Sequence, residues 1–330
     1  MLKSVLRGLM WLSLGLGLAA GTLWIVGPYE PVQTTLAFDP RAVPDDLDGW
    51  LADQEGLVAD LDPDHAKSIL WATAPGQRTD LAIVYVHGFS ATKWEIRPVP
   101  DRVAEAVGAN LFLMRLSGHG RDGAALAEPR VQDWLTDLAE AMEVGRRLGD
   151  RVIVMSTSTG STLAAILAAD PALAAHRDGL AGLVMVSPNF KIAHPASVLL
   201  SLPAARHWVP LVAGAQRSFA PLNDRHARHW TTAYPTVAAL PVQASIDYAR
   251  DLDYGAVQTP VLFYFSDADA VVDAAVTRRI AARWGGAAQV TGVTLDAGDD
   301  PYHHVIAGDI LSPGQTPAAI ATMTDWINGL

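Results

Sequence analysis

A run of hydroxyl side chains, Ser156-Thr157-Ser158-Thr159-Gly160, separates a β-branched stretch (151–156) from an Ala-rich one. Hydroxyls between a strand and a helix suit two roles. They can cap the helix, or one serine can sit on a sharp turn that lifts a nucleophile clear of a sheet. In the second role strand and helix pass so closely that the residues two before and two after the nucleophile must be small. Gly160 meets that demand on one side, and Ser156, small enough to fit, stands on the other where glycine is usual. Ser158 is then the nucleophile, with Ser156 facing the strand and Ser161 opening the helix.

A serine is a weak nucleophile without a base, and the base needs an orienting group. On this kind of sheet the acid and then the histidine follow later in the chain. The strand-like run 261–266 leads into Asp267-Ala268-Asp269-Ala270-Val271-Val272-Asp273. Asp269 is the expected acid: Val271 and Val272 pack down while its carboxylate points into the crevice, and Asp267 and Asp273 suit a helix cap. Further on, 289–295 leads through DAGDDPYHH to His303-His304, of which His304 is the expected base. The oxyanion formed on attack needs two preorganised donors, each worth roughly 10²–10³ in rate. Thr159 N–H is one. The other is expected after the strand 81–88, where His87-Gly88-Phe89 form the substrate-facing turn and Phe89 N–H donates.

Positioning these groups takes a sheet. Strand-like runs (110–116, 151–156, 180–188, 261–266, 289–295) alternate with helix-like ones (100–107, 131–148, 274–284). The late strands read as apolar throughout, as strands buried on both faces do. The pattern predicts an α/β fold, a mostly parallel sheet with helices on both faces, and ligands bind beyond the carboxyl ends of such strands. The runs 67–73 and 81–88 read as a hairpin. Between 191 and 256, helix-like pieces cut by Pro203, Pro210, Pro221, Pro235 and Pro241 read as a helical cap. Its apolar runs 198–200 and 208–212 are expected to face the crevice in part, and Trp208, Trp230 and Tyr234 to pack mainly within the cap. The core then comprises 67–190 and 257–330, preceded by an acidic linker and extension (28–66) with one helix near 48–60.

At the N-terminus no charge occurs from Gly8 to Gly27, with Lys3 and Arg7 before and Glu30, Asp39, Asp45 and Asp46 after. A helix there rises roughly 30 Å, enough to cross a bilayer. Trp11 and Trp24 lie near its ends, and the basic flank places the rest of the chain outside the cytoplasmic membrane. Segment 1–27 thus reads as a single-pass anchor. The alternative is a signal peptide cleaved near Ala19-Ala20-Gly21, whose apolar region is normally about 7–15 residues.

The net charge of −11 argues against nucleic acid. With no cysteine among 330 residues, disulfides, thiolate nucleophiles and Cys–zinc sites are excluded. No Gly-rich phosphate loop follows a strand, so no nucleotide cofactor is expected. His226 and His229 lack an evident third ligand, so no metal is expected.

Taken together, VYVHGF, LSGHGRDG, STSTG, SDADAVVD and HHVIAGD, running in order from Leu81 to Asp309, resemble an α/β-hydrolase of the serine hydrolase type. The likeness is to the bacterial monoacylglycerol-lipase, carboxylesterase and serine-aminopeptidase-like group. The resemblance implies a capped α/β-hydrolase sheet, no cofactor, and a Ser158–His304–Asp269 triad that cleaves a small ester or lipid-like substrate through an acyl-enzyme. An amide or peptide hydrolase, or a silent anchored binding module, are the alternatives.

Overall fold

The computed structural model describes the backbone of residues 2–330 and their side chains except those of residues 2–4 and 16. Lys3, part of the expected basic flank, therefore lies outside the described side chains. The chain opens with α1 (Leu2–Val26), and among the described residues one helix is long and apolar enough to cross a membrane, the 22 residues Val5–Val26 with mean hydropathy 1.8. There follow α2 (Leu47–Gly56), β1 (Ser68–Leu70), β2 (Thr79–Val86), α3 (Val99–Val107), β3 (Asn110–Leu113), α4 (Val131–Leu148), β4 (Gly149–Thr157), α5 (Thr159–Ala169) and β5 (Leu180–Val186). The next segment holds α6 (Ala205–Ala213), β6 (Gln216–Ser218), α7 (Asp224–His229), β7 (Ala233–Pro235) and α8 (Ala239–Arg250). The chain closes with β8 (Val261–Phe265), α9 (Ala274–Ala281), β9 (Ala288–Gly292) and α10 (Thr316–Asn328).

Seven strands form one sheet in the order β1-β3-β2-β4-β5-β8-β9, parallel except for β1. Successive side chains of a strand leave on opposite faces, and β2 shows the consequence. Ala82, Val84 and Val86 enter the core formed with α4, α5 and α8, while Leu81, Ile83 and Tyr85 enter the one formed with α3 and α10. Covering both faces leaves the carboxyl ends of β2, β4 and β8 as the place where side chains from separate segments converge.

The expected hairpin does not form. β1 pairs antiparallel with β3 (Ile69↔Phe112), while β2 takes β3 on one side and β4 on the other (Ile83↔Leu111, Ile83↔Ile153). β2 is buried over six consecutive residues and so occupies the sheet interior, whereas the half-buried three-residue β1 goes to the edge. β9 departs from expectation as well: it is the other edge, mostly exposed, with Gln289 and Thr291 in place of a continuous apolar run.

The 191–256 segment is not wholly helical, since β6 and β7 make an antiparallel ribbon (Arg217↔Tyr234). Its last helix, α8, packs Val242, Ile246 and Ala249 into the main core. The acidic stretch 28–66 is packed rather than free: Val43, Leu47 and Leu51 join that core. Pro28 O accepts Ala204 N–H at 2.8 Å, and buried Glu30 pairs with Arg206 at 2.7 Å and with Arg130, so the end of α1 is fastened where α6 begins.

Glu55 of α2 clamps this extension to the core. Its carboxylate takes Arg115 Nε at 2.7 Å and Nη2 at 2.8 Å, with both residues buried. Breaking a buried pair strands the remaining charge. Glu55→Ala is therefore expected to lower unfolding stability by about 3–5 kcal/mol, read as a fall in the urea midpoint at unchanged slope.

Candidate active site

β4 ends at Thr157 and α5 begins at Thr159, so Ser158 alone makes the turn, at φ +51° and ψ −116°. Such a conformation costs a non-glycine residue on the order of 1–3 kcal/mol and persists only where its surroundings impose it. Here Ser158 N–H donates to Val186 O at 2.9 Å, and Ser158 O accepts Ser161 N–H at 3.0 Å and Asn189 N–H at 3.2 Å. A Cβ on Gly160 would lie 2.4 Å from Val86 O, so only glycine fits there. Ser156 is accommodated where glycine is usual: its hydroxyl lies 3.2 Å from Val184 O, to which it donates, and 3.0 Å from Ser161 Oγ, leaving neither hydroxyl unpaired.

Three separate segments meet at this turn. His304 Nε2 lies 3.0 Å from Ser158 Oγ, and its Nδ1 lies 2.8 Å from Asp269 Oδ2. The carboxylate is acceptor-only, so Nδ1 carries the proton and Nε2 is free to accept from the serine hydroxyl. Asp269 Oδ1 accepts the N–H groups of Val271 at 2.8 Å and Val272 at 2.9 Å, which fixes the carboxylate. Burial lowers the His304 pKa, but the Asp269 charge and hydrogen bond, with the charges of Glu95 and Asp300, outweigh it and leave the ring above its ordinary 6.5.

The neighbouring carboxylates are occupied elsewhere. Asp267 pairs with Arg278 at the surface, and Asp273 pairs with Lys191 and accepts Ala275 N–H at the start of α9. His303 lies beside the turn at φ +54° and does not line the cavity. One expectation about this loop fails in part: Val272 packs down, but Val271 is exposed and lines the cavity, because the tight turn closed on Asp269 Oδ1 points consecutive valines apart.

Phe89 and Thr159 both line the cavity beside Ser158, and among the described residues neither backbone N–H has an acceptor. The Phe89 ring makes an edge contact with Tyr234, centroids 5.3 Å apart. Gly88 is required: a Cβ there would meet Glu95 Oε1 at 2.7 Å and Ser158 Cβ at 3.1 Å. The expectation that His87 faces substrate is not met. Its ring is fully buried, accepts Leu116 N–H at Nε2 (3.1 Å) and therefore donates from Nδ1 to Gly88 O (2.9 Å). Burial holds it neutral, with a pKa lowered to about 4. His87 braces the turn from behind.

Two acids absent from the motif reading shape the site. Asp300 accepts Tyr302 N–H at Oδ1 (3.0 Å) and the N–H groups of His304 (3.0 Å) and Val305 (2.8 Å) at Oδ2, which folds the loop that presents His304. Glu95 accepts Gly88 N–H at 2.6 Å. The signal for Asp300 was present in the adjacent carboxylates of DAGDDPYHH, but only the backbone shows which of them turns inward.

Above Ser158 lies a cavity of about 690 Å³. Its roof brings Leu199, Leu200, Val209, Phe219, Trp230 and Tyr234 from the 191–256 segment. Trp208 instead donates to Pro203 O at 3.0 Å within that segment, and Val198, Leu211 and Val212 are exposed. His226 and His229 part company: His226 lines the cavity and accepts Leu222 N–H, while His229 Nδ1 lies 3.1 Å from His65 Nε2.

Comparison with known proteins agrees with this architecture. The chain is 27% identical to a thermostable monoacylglycerol lipase of Bacillus sp. (strain H-257) over 107 residues, 32% of this chain and 40% of that enzyme's length. Among solved structures it resembles one described under LipS and LipT, two metagenome-derived lipolytic enzymes (TM-score 0.65, 17% identity, 82% of this chain and 100% of that one). A soluble variant of monoglyceride lipase from Saccharomyces cerevisiae is also similar (TM-score 0.61, 10% identity, 80% of this chain and 91% of that one). These structural likenesses bear on the fold. The serine aminopeptidase S33 family profile matches residues 77–306, well over half of the chain, and the protein belongs to that family: it is a serine hydrolase on the α/β-hydrolase fold.

Proposed function

We propose that the protein hydrolyses carboxylic esters of apolar acids through an acyl-enzyme. Ser158 Oγ attacks the ester carbonyl as His304 Nε2 takes its proton, and Asp269 holds the imidazolium that forms. The Phe89 and Thr159 N–H groups receive the oxyanion. His304 returns the proton to the departing alkoxide, then activates a water that releases the acid from Ser158. The observation that carries this reading is the continuous line Ser158 Oγ–His304–Asp269, at 3.0 and 2.8 Å, on the floor of an apolar-roofed cavity. The name of the Bacillus relative points to the same substrate class.

An amide or peptide substrate with a free amino terminus needs an available carboxylate. Of the described residues lining the cavity two are acidic: Asp300, whose two oxygens both accept backbone N–H groups, and Glu95, which is 2% exposed and gives its Oε2 to Gly88 N–H. That favours the ester. Kinetics on p-nitrophenyl esters of graded length, beside aminoacyl p-nitroanilides, test the choice. kcat/KM should rise from acetate to medium-chain esters by up to about fourfold per methylene, since each buried methylene contributes about 0.8 kcal/mol. Faster turnover of the anilides would overturn the reading. Activity on esters should fall on acidification with a midpoint above 6.5, because His304 must be neutral to act as base and its pKa is raised.

The same proposal places the enzyme on a membrane. Residues 1–27 would anchor it in the cytoplasmic membrane, with the domain on the outer side and 28–66 as a packed extension. Arg7 before the apolar span and the acidic residues after it support that orientation. The attachment of Pro28 and Glu30 at the start of α6 supports a domain held close to the end of the anchor.

A further inference from the structure

Glu95 lies in the loop between β2 and α3, 2% exposed, and no step of the proposed hydrolysis uses it. A buried carboxyl beside a nucleophile is costly unless it does something there. Its Oε2 accepts Gly88 N–H at 2.6 Å. Gly88 N–H belongs to the His87–Gly88 peptide and Phe89 N–H to the next one, whose carbonyl Gly88 O is held by His87 Nδ1 at 2.9 Å; with both planes held, the direction of Phe89 N–H is fixed. The remaining groups around it are few. Tyr85 OH stands 3.4 Å from Oε2 and itself lies 3.2 Å from Thr157 Oγ1, the residue just before Ser158. A chain of polar contacts therefore runs from the loop after β2, through Glu95 and Tyr85, to the end of β4, joining the two segments that carry the oxyanion donors.

We infer that Glu95 is a positioning residue for the oxyanion site: by holding Gly88 N–H it fixes the His87–Gly88 peptide from which the chain turns to Phe89, so that Phe89 N–H converges with Thr159 N–H on one point beside Ser158. This rests on the triad reading above and deepens it. The requirement for glycine at 88 fits the same account, because a side chain there would strike Glu95 and Ser158 together. Glu95 and His304 line the same cavity. Burial raises the Glu95 pKa to about 7, with the Gly88 N–H and the His304 charge acting against that rise, and the Glu95 charge in turn raises the His304 pKa. Among the described residues, Tyr85 and His304 are the titratable groups that bear on Glu95. Glu95→Gln keeps an acceptor for Gly88 N–H and removes the charge. Glu95→Ala removes both.

The full-length enzyme and these two variants should be compared by kcat and KM on p-nitrophenyl butyrate, by the inhibition constant of an aliphatic trifluoromethyl ketone, and by pH profile. The ketone forms a tetrahedral adduct whose oxygen occupies the oxyanion site. Glu95→Ala is expected to lose about tenfold or more in kcat with KM within twofold, and to weaken ketone binding by the same factor; removal of a donor outright costs about 10²–10³. Glu95→Gln should recover most of the kcat and shift the acidic limb of the profile to lower pH, because one of the charges that raise the His304 pKa is gone. Should Glu95→Ala fail to fold, Glu95→Asp, whose shorter side chain withdraws the carboxyl from Gly88 N–H, takes its place in the same kcat and ketone measurements. A folded Glu95→Ala, or in its place Glu95→Asp, with wild-type kcat and ketone affinity overturns the inference. Fluorophosphonate labelling of the wild type separates the two levels: with Ser158 labelled, such results refute the role of Glu95 alone, whereas absence of labelling refutes the triad itself.

Discussion

Ser158→Ala is expected to lower kcat on p-nitrophenyl butyrate by on the order of 10⁵–10⁶, as loss of the nucleophile does in serine hydrolases that act through an acyl-enzyme. The fold should survive. The substitution removes one hydrogen bond, to His304 Nε2, worth about 1 kcal/mol, and the backbone bonds that hold residue 158 at positive φ involve only its N–H and C=O. Ser156→Ala is the control from the same turn. It leaves a buried Ser161 hydroxyl with one partner fewer and touches nothing at the reacting atoms. Its kcat should stay within about threefold of the wild type while its melting point falls slightly, since a lost buried hydrogen bond costs about 1 kcal/mol. Equal losses in both variants would mean that the turn, and not the Ser158 oxygen, is what matters.

Asp269→Asn is expected to cost about 10⁴ in kcat. An amide oxygen can still accept the Val271 and Val272 N–H groups, so the loop keeps its shape. What changes is the group facing His304 Nδ1: an amide N–H in place of a carboxylate oxygen favours the tautomer with the proton on Nε2, which cannot accept from Ser158. The charge effect has the same origin. Asp269 is the largest of the influences raising the His304 pKa, so the residual activity of the variant should keep its acidic limb at lower pH than the wild type. Asp267→Asn and Asp273→Asn alter surface contacts with Arg278 and Lys191. Both should retain kcat within about threefold, as exposed pairs contribute little. A silent Asp269→Asn would mean that another carboxylate orients His304.

The parts of this site that could be read from the sequence are those whose constraints are local. Gly160 and the small Ser156 mark the turn because the close approach of strand and helix acts within five residues. The order Ser158, Asp269, His304 follows from strands that end at one edge of a parallel sheet. Pairing was not legible in the same way. The segments that became β1 and β2 are close in the chain, yet β2 joins β3 and β4 because its six buried residues need neighbours on both sides. His87 shows a second limit. It follows the buried run Val84-Tyr85-Val86, and only the hydrogen bonds to Leu116 N and Gly88 O show that its ring turns inward, away from substrate. Glu95 sits seven residues past Gly88 in sequence and beside it in space. The one hint was an acid set between Trp94 and Ile96.

The most direct test of the account is the site of covalent attack. The full-length enzyme would be treated with a fluorophosphonate at pH 8, digested, and the modified peptide sequenced by mass spectrometry. The account predicts a single adduct on Ser158, suppressed in Asp269→Asn and in protein preincubated with a medium-chain trifluoromethyl ketone. An adduct on Ser156 or Ser161, or steady ester turnover by protein that takes up no label, would contradict it.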